Sequence, residues 1–508
     1  MSSPRLDPSD LTPLPDIPAA SPDDVAAAVE RARVASEVWK RQRFEARAEA
    51  VRKAARAMLR DRATIIELVR KEVGKATADA IFTEALGPLD ALETWVKLTR
   101  GPAEGEGVRL NPLSFPRKQA SVRLVPRGVV GIIAPWNFPV AGLYRSVYPA
   151  LLLGNAVVLK PSEYAPESSR WFISHLAAEL PPDLAQVVLG AGDVGAALLN
   201  ADIDACAFTG SADTGRKVQL PCAERDIPCS VELGGNDVAI VLADCALPRT
   251  IAGVTQWALQ NAGQACGAIE VAAVEARIAD AFVDGVASAF ERLGSEDVAP
   301  LANAAQRTTV ERHVADAVEK GAVLRTGGTP TGNGFGFAPT VLDHCTPEME
   351  IVREETFGPV LPVVRVPSAY EGARLVNEGR FGLTASIWSA DVERAERLAD
   401  RLDVGVVTIN NHAMTGALPE LPWSGTRDSG LGIANSKYAL TTFARPKALL
   451  VDRSEGPEPF WLPYDDALVE LGHRLAEAQL GQLLNAWRIP LLLKRRTDRV
   501  KEFFRFRA

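Results

Sequence analysis

Cys266 closes the stretch NAGQAC (261–266), with Asn261, Gly263 and Gln264 before it, Gly267 after it and no other cysteine within twenty positions. Four chemistries fit such a thiol: an inert buried side chain, half of a disulfide, a metal ligand, or a nucleophile. The six cysteines (206, 222, 229, 245, 266 and 345) form no CxxC pair, and no Cys/His group has zinc-site spacing. No metal is therefore expected. The opening MSSPRLDPSDLTPLPDIPAA has no basic region followed by an apolar core, so a secretory signal is not expected. Free thiols without an export signal point to a reducing cytoplasm, which disfavours a disulfide. An isolated cysteine is more often a small buried hydrophobe than a reactive group, so the choice between inert thiol and nucleophile rests on its neighbours.

Those neighbours must be held by a large framework. A chain of 508 residues exceeds one ordinary core and implies two or three domains. Hydrophobic residues make up 47% and charged residues 24%, as in a globular protein. The net charge of −8 argues against nucleic acid as a partner. No segment approaches the ~20 uninterrupted apolar residues of a spanning helix.

The first twenty residues read as an extended arm. Ser21-Pro22-Asp23-Asp24 then signals a helix start, with a capping serine, a proline at the first position and acids in the first turn. Helical patterning runs to about Arg100. From Val108 the character changes. VRLVPRGVVGIIAPWNFP, NAVVLKPSEYAP, AQVVLGAGD and ACAFTGSADTGRKV each place an apolar β-branched run before a turn. That alternation predicts a parallel, doubly wound sheet whose ligands lie beyond the carboxyl ends of its strands. A second alternating series runs from about Leu233 to Gly425, and 437–452 (KYALTTFARPKALLVD) reads as a late strand. GNGFGFAP (332–339) is a surface turn rather than a glycine fingerprint, because no helix follows it.

Seven stretches occur in a shared order: PWNFP (135–139), LKPSE (159–163), FTGSADTG (208–215), VELGG (231–235), NAGQAC (261–266), EETFGP (354–359) and LPWSGTRDSGLG (421–432). In order and spacing they resemble the aldehyde dehydrogenase superfamily, over about residues 20–450. The resemblance implies an α/β fold with a Rossmann-type cofactor domain (1–107 and 124–233), an α/β catalytic domain (234–427) and a small β oligomerisation flap (108–123 with 437–452). It also implies a homodimer or homotetramer.

The resemblance assigns roles residue by residue. Cys266 matches the nucleophile that adds to the aldehyde carbon and leaves a thioester. Asn137, with the Cys266 backbone N–H, matches the oxyanion donor. Glu232 matches the base that activates water, and the two glycines after it permit close backbone approach. For the cofactor, NAD with NADP as the alternative, Lys160, Ser162 and Glu163 match the adenosine-ribose contacts, and Gly190 and Gly192 lie in a turn on the adenine side. Gly210, Ser211 and Gly215 open a helix whose amides face the pyrophosphate. Glu355 matches the acid that holds the nicotinamide ribose and Phe357 the ring beside it, and Trp136 is a further cofactor-binding position. The expected activity is oxidation of an aldehyde to a carboxylic acid. Relatives that acylate coenzyme A typically lack the acid at Glu232. Acylation of coenzyme A and a catalytically silent scaffold are the alternatives.

Some positions depart from the pattern. CGAIEVAAV puts Glu270 and Val271 where relatives carry Ser and Arg, Asn236 replaces a common Lys, and WSG (423–425) replaces Phe-Gly-Gly. Glu270 is expected in a structural ion pair. The substrate funnel stays unassigned. Beyond Asp452 the resemblance fades into a helical, basic extension (453–508). Leu468, Leu471 and Leu475, then Leu480, Leu483, Leu484 and Trp487, recur at helical spacing, with a phase shift near Gly481. Residues 494–508 hold seven Lys/Arg and two Asp/Glu among several phenylalanines. Burial of the stripe against the body or a second subunit is expected; contact with a membrane surface and a helix that docks a partner are the alternatives.

Overall fold

The computed structural model describes residues 5–112, 115–482, 484 and 486–504. The expected helix start at Ser21 is present. Its hydroxyl accepts from Asp24 N at 3.1 Å and the Asp24 carboxylate accepts from Ser21 N at 2.9 Å, a reciprocal cap for the helix Pro22–Trp39. Among the described residues before it, only the Leu6–Pro13 bridge is regular.

The β-branched runs pair into a five-stranded, wholly parallel sheet. Its order is Ala185–Val187, Ala156–Lys160, Val129–Ile133, Ala205–Thr209, Cys229–Glu232. Val129–Ile133 is buried on both faces, as a central parallel strand between helix layers must be. The chain reverses direction of winding at this strand, so a crevice opens past its carboxyl end.

A second sheet has seven strands, in the order Val323–Thr326, Thr340–Asp343, Val360–Val366, Ile269–Glu275, Asp237–Val241, Thr384–Trp388, Val406–Ile409. All its pairings are parallel except that of Val323–Thr326 with Thr340–Asp343. The 330–337 segment is a small hairpin of Pro330–Thr331 with Gly336–Phe337, consistent with a surface turn.

Two compact units result: one takes residues up to 104 with 123–446, the other 105–122 with 447 onward. Both large sheets lie in the first unit, so residue 233 divides two sheets rather than two separate bodies. The expected strand at 437–452 needs correction. Ser436–Phe443 is a helix that buries Ala439, Leu440 and Phe443, and only Ala444–Asp452 is extended. Apolar residues at helical spacing outweighed the local β-branched threonines.

Glu106–Val108, Lys118–Pro126 and Ala444–Asp452 form a three-stranded sheet, most of whose residues belong to the second unit. The extension folds into two helices, Asp466–Gln479 and Arg488–Phe503. Their seam buries Ala467, Leu471 and Leu492. Arg496, fully buried, donates to Asp465 Oδ2 at 2.8 Å, Pro459 O at 3.0 Å and Trp461 O at 2.7 Å. The phase shift at Gly481 is a helix end, with φ of +78°. Around it Leu480, Leu484 and Trp487 are exposed on this chain rather than packed on its own body. Leu483 lies outside the described residues.

Candidate active site

The two sheets of the first unit supply a common cavity from opposite strand ends. The five-stranded sheet contributes turns past its carboxyl ends: Trp136 and Asn137 after Ile133, Gly210 and Ser211 after Thr209, and Glu232 ending its own strand. The seven-stranded sheet contributes residues before its strands begin. Cys266 precedes Ile269–Glu275, and Glu355 and Phe357 precede Val360–Val366. The enclosed volume is about 640 Å³.

The approach to Cys266 requires unusual backbone. Asn261, Ala262 and Gly263 have φ of +53°, +56° and +71°, a left-handed run that costs energy at the two non-glycine residues. A Cβ on Gly263 would stand 2.1 Å from Gly358 O. Side-chain amides hold the bend. Asn261 Nδ2 donates to Asn137 O at 3.1 Å and Gln264 O at 3.0 Å, and Gln264 Oε1 accepts from Ala302 N at 2.9 Å. Asn137 Nδ2 donates to Gln264 O at 3.0 Å, which leaves the second amide proton free.

The Glu232 carboxylate is buried and accepts one hydrogen bond, from Ala434 N at 3.0 Å. Burial raises its pKa to about 7, against opposing pulls from Arg145 and the Ala434 amide. Burial likewise pushes the Cys266 thiol up to about 12, with Arg145 again pulling down. Arg145 was missed in the sequence. It is the one charged residue in the apolar helix Ala141–Leu153, and that misfit was the available signal. Its guanidinium donates to Gly416 O at 2.6 Å and stands 5.7 Å from the Trp423 ring centroid. Trp423 belongs to the WSG departure, and a Cβ on Gly267 would lie 2.6 Å from its ring. The unusual tryptophan therefore packs beside the cysteine and steers the arginine.

Glu355 accepts from Gly235 N at 3.1 Å, and burial raises its pKa to about 7. A Cβ on Gly234 would fall 2.2 Å from Glu355 Oε2, and one on Gly235 would fall 2.9 Å from Cys266 O. Both glycines are needed for close approach. Phe357 (φ +54°) meets Trp136 edge-on, with centroids 5.6 Å apart. Glu270 proves not to be an ion-pair partner. Its oxygens accept from Thr356 N at 3.0 Å and Phe357 N at 2.9 Å, so it pins the strained turn that presents Phe357. Burial raises its pKa well above the carboxylate range.

Of the remaining predicted cofactor residues, Lys160, Ser162, Glu163, Gly192 and Gly215 do not line this cavity. Lys160 Nζ lies 3.6 Å from Glu163 Oε2, with the Ser162 hydroxyl 3.5 Å from the same oxygen. Gly192 opens the helix Gly192–Asn200, with nothing within 4 Å of where its Cβ would stand. Ser211 caps Ala212–Glu224. At Gly215 a Cβ would meet Leu233 Cδ2 at 2.3 Å and Val231 Cγ1 at 3.0 Å, so this glycine seats the helix closely on the sheet. The spacing-based view of the cysteines also changes. Cys206, Cys222 and Cys229, far apart in sequence, place their sulfurs within 4.8 Å of one another.

An open parallel sheet with an uncovered helix start and a carboxylate ending one strand, joined to a second sheet that delivers a cysteine and a further carboxylate, defines a nucleotide-linked enzyme built around a thiol. The family model of the aldehyde dehydrogenase family matches residues 2–449, and the chain belongs to that family. It is 34% identical over 466 residues to 4,4'-diapolycopene aldehyde oxidase of a Methylomonas species, covering 90% of this chain and 88% of that one. Among solved structures, it resembles NADP-dependent glyceraldehyde-3-phosphate dehydrogenase from Bacillus halodurans C-125 complexed with NADP. That match has a TM-score of 0.82 and 32% identity, and covers 89% of this chain and 96% of that one. The NAD+ complex of aldehyde dehydrogenase from Bacillus cereus matches with a TM-score of 0.84 and 28% identity, over 89% and 93% of the two chains. The protein is an oxidoreductase of aldehydes, with NAD or NADP as acceptor.

Proposed function

We propose that this enzyme oxidises an apolar aldehyde to the free carboxylic acid through a thioester on Cys266. The carrying observation is that Cys266, Asn137 and Glu232 line one cavity together with Glu355 and Phe357. The cleft fits a dinucleotide: Gly192 faces open space, the capped helix start at Ser211 offers amides to a pyrophosphate, and Glu355 offers a carboxylate to a ribose. Lys160 and Glu163 would meet the adenosine side. When bound, the nicotinamide supplies the hydride acceptor that turns the tetrahedral adduct into the thioester.

The protein's own groups do the rest. The Cys266 sulfur adds to the carbonyl carbon, and the field of Arg145 favours its charged form. The free Asn137 amide proton and the Cys266 backbone N–H stabilise the oxyanion. Glu232, poised near neutrality, takes a proton from water as that water attacks the thioester. A base in this position favours hydrolysis over transfer to coenzyme A. The test is reduced-cofactor absorbance with NAD or NADP and a panel of aldehydes. Turnover of apolar aldehydes without coenzyme A supports the reading; turnover only with coenzyme A overturns it.

The apolar substrate is supported by Phe82, Leu418, Trp257 and Trp423 in the cavity wall and by the 4,4'-diapolycopene aldehyde in the Methylomonas relative's name. A membrane-surface contact would suit such a substrate. Trp461, Trp487 and Leu491 are exposed, beside Lys494, Arg495 and Arg499, a composition matched to an anionic interface. Co-sedimentation with anionic but not neutral vesicles tests it. The exposed Leu449, Leu450 and Val451 on Ala444–Asp452 suit pairing with a second copy, which light scattering checks. All six thiols are free, in keeping with a cytoplasmic enzyme.

A further inference from the structure

A second group of thiols stands apart from the cavity. Cys206 lies in the strand Ala205–Thr209, directly opposite Cys229 in the parallel neighbour Cys229–Glu232. Cys222 reaches down from the last turn of the crossover helix Ala212–Glu224. The three sulfurs lie within 4.8 Å of one another, and no fourth His, Cys, Asp or Glu among the described residues joins them. Cys206 and Cys222 are buried and Cys229 is half-buried. The cluster occupies the strand beginnings and the helix end, whereas Glu232 and Ser211 stand at the other end of the same elements. Cys222 is eleven residues from Ser211, about 16 Å along a helix.

We propose that Cys206, Cys222 and Cys229 form a three-thiolate site for a borderline-soft divalent cation, zinc by its chemistry, with water as fourth ligand. Tetrahedral zinc–thiolate bonds of about 2.3 Å put sulfurs roughly 3.8 Å apart, so the cluster needs to contract by an ångström or less. Charge also fits. Three thiolates exceed a divalent ion by one negative charge, and the Arg225 guanidinium acts on Cys222 from the adjoining turn. A monovalent ion would leave the site negative in a largely apolar setting. Cys229, half-buried at the start of its strand, gives entry and room for the water. Binding displaces the protons that the sulfurs hold and involves no electron transfer. The ion would tie together the two strands and the helix that present Glu232 and Ser211.

The test uses full-length protein purified under reducing conditions, with Co²⁺ as a spectroscopic probe and Zn²⁺ for structure. One equivalent of Co²⁺ should give thiolate charge-transfer absorption that persists in Cys266→Ala and disappears in Cys222→Ser. Zinc-edge X-ray absorption should then show three sulfurs and one oxygen. In the Cys266→Ala protein, Zn²⁺ should raise the melting temperature. Absent charge transfer, or absorption lost in Cys266→Ala but retained in Cys222→Ser, overturns the proposal. If Cys222→Ser fails to fold, the wild-type sulfur count decides: fewer than three sulfurs rejects the site.

Discussion

The Asn137 side-chain amide donates to the Gln264 carbonyl at 3.0 Å, tying the turn after one sheet to the turn before the other, two residues from Cys266. One amide proton is spent on that tie, and the other is available for an oxyanion. Asn137→Ala should lower kcat by about 10²–10³-fold, the usual loss for one such donor. KM should change little. Steady-state kinetics check it, with a thermal melt to separate loss of the tie from loss of the donor.

Removing the nucleophile isolates chemistry from binding. Cys266→Ala should abolish turnover while the cofactor still binds, as seen by fluorescence titration. Residual turnover within tenfold of wild type would reject the thioester route.

Glu232 predicts a specific pH profile. Its carboxyl, raised to about 7 by burial, is protonated and inactive as a base below that value, so kcat should fall as pH drops through 7. Glu232→Gln should give a single burst of reduced cofactor with little turnover after it. The stability effect has the opposite sign. Between its ordinary 4.5 and about 7 the folded protein holds a proton the unfolded chain has lost, so this group's contribution weakens as pH rises through that window. Melts at pH 5 and 8 should therefore differ less in Glu232→Gln than in wild type.

Arg145 favours the ionised forms of both Cys266 and Glu232. Arg145→Met should shift the acidic limb of the kcat profile upward by on the order of one unit. An unmoved limb would remove Arg145 from the electrostatic account.

Gly234 leaves the space that Glu355 fills, since a Cβ would lie 2.2 Å from its carboxylate oxygen. Gly234→Ala should displace Glu355 and lower kcat/KM for the cofactor by up to about 10²-fold, the scale of an ångström misplacement. The effect on Asn137-dependent oxyanion binding should be small.

The sequence by itself determined what local order carries: seven motifs in register, the capped start at Ser21, the strand–turn–helix alternation, and the residue types Cys266, Asn137 and Glu232. Those signals are local because a turn or cap depends on adjacent residues. What only the tertiary structure decided depends on which strands become neighbours. Residues 206 and 229 face each other because two parallel strands pair across a helix, and no spacing rule for short motifs reaches over such a crossover. Arg145 acquires its role only when its helix packs beside Trp423, and Glu270 becomes a loop anchor because its strand begins beneath the Phe357 turn. Gly215 looks the same in sequence wherever its helix packs. Helix-on-sheet packing set it against Leu233, since the helix sits too close there for any side chain larger than hydrogen.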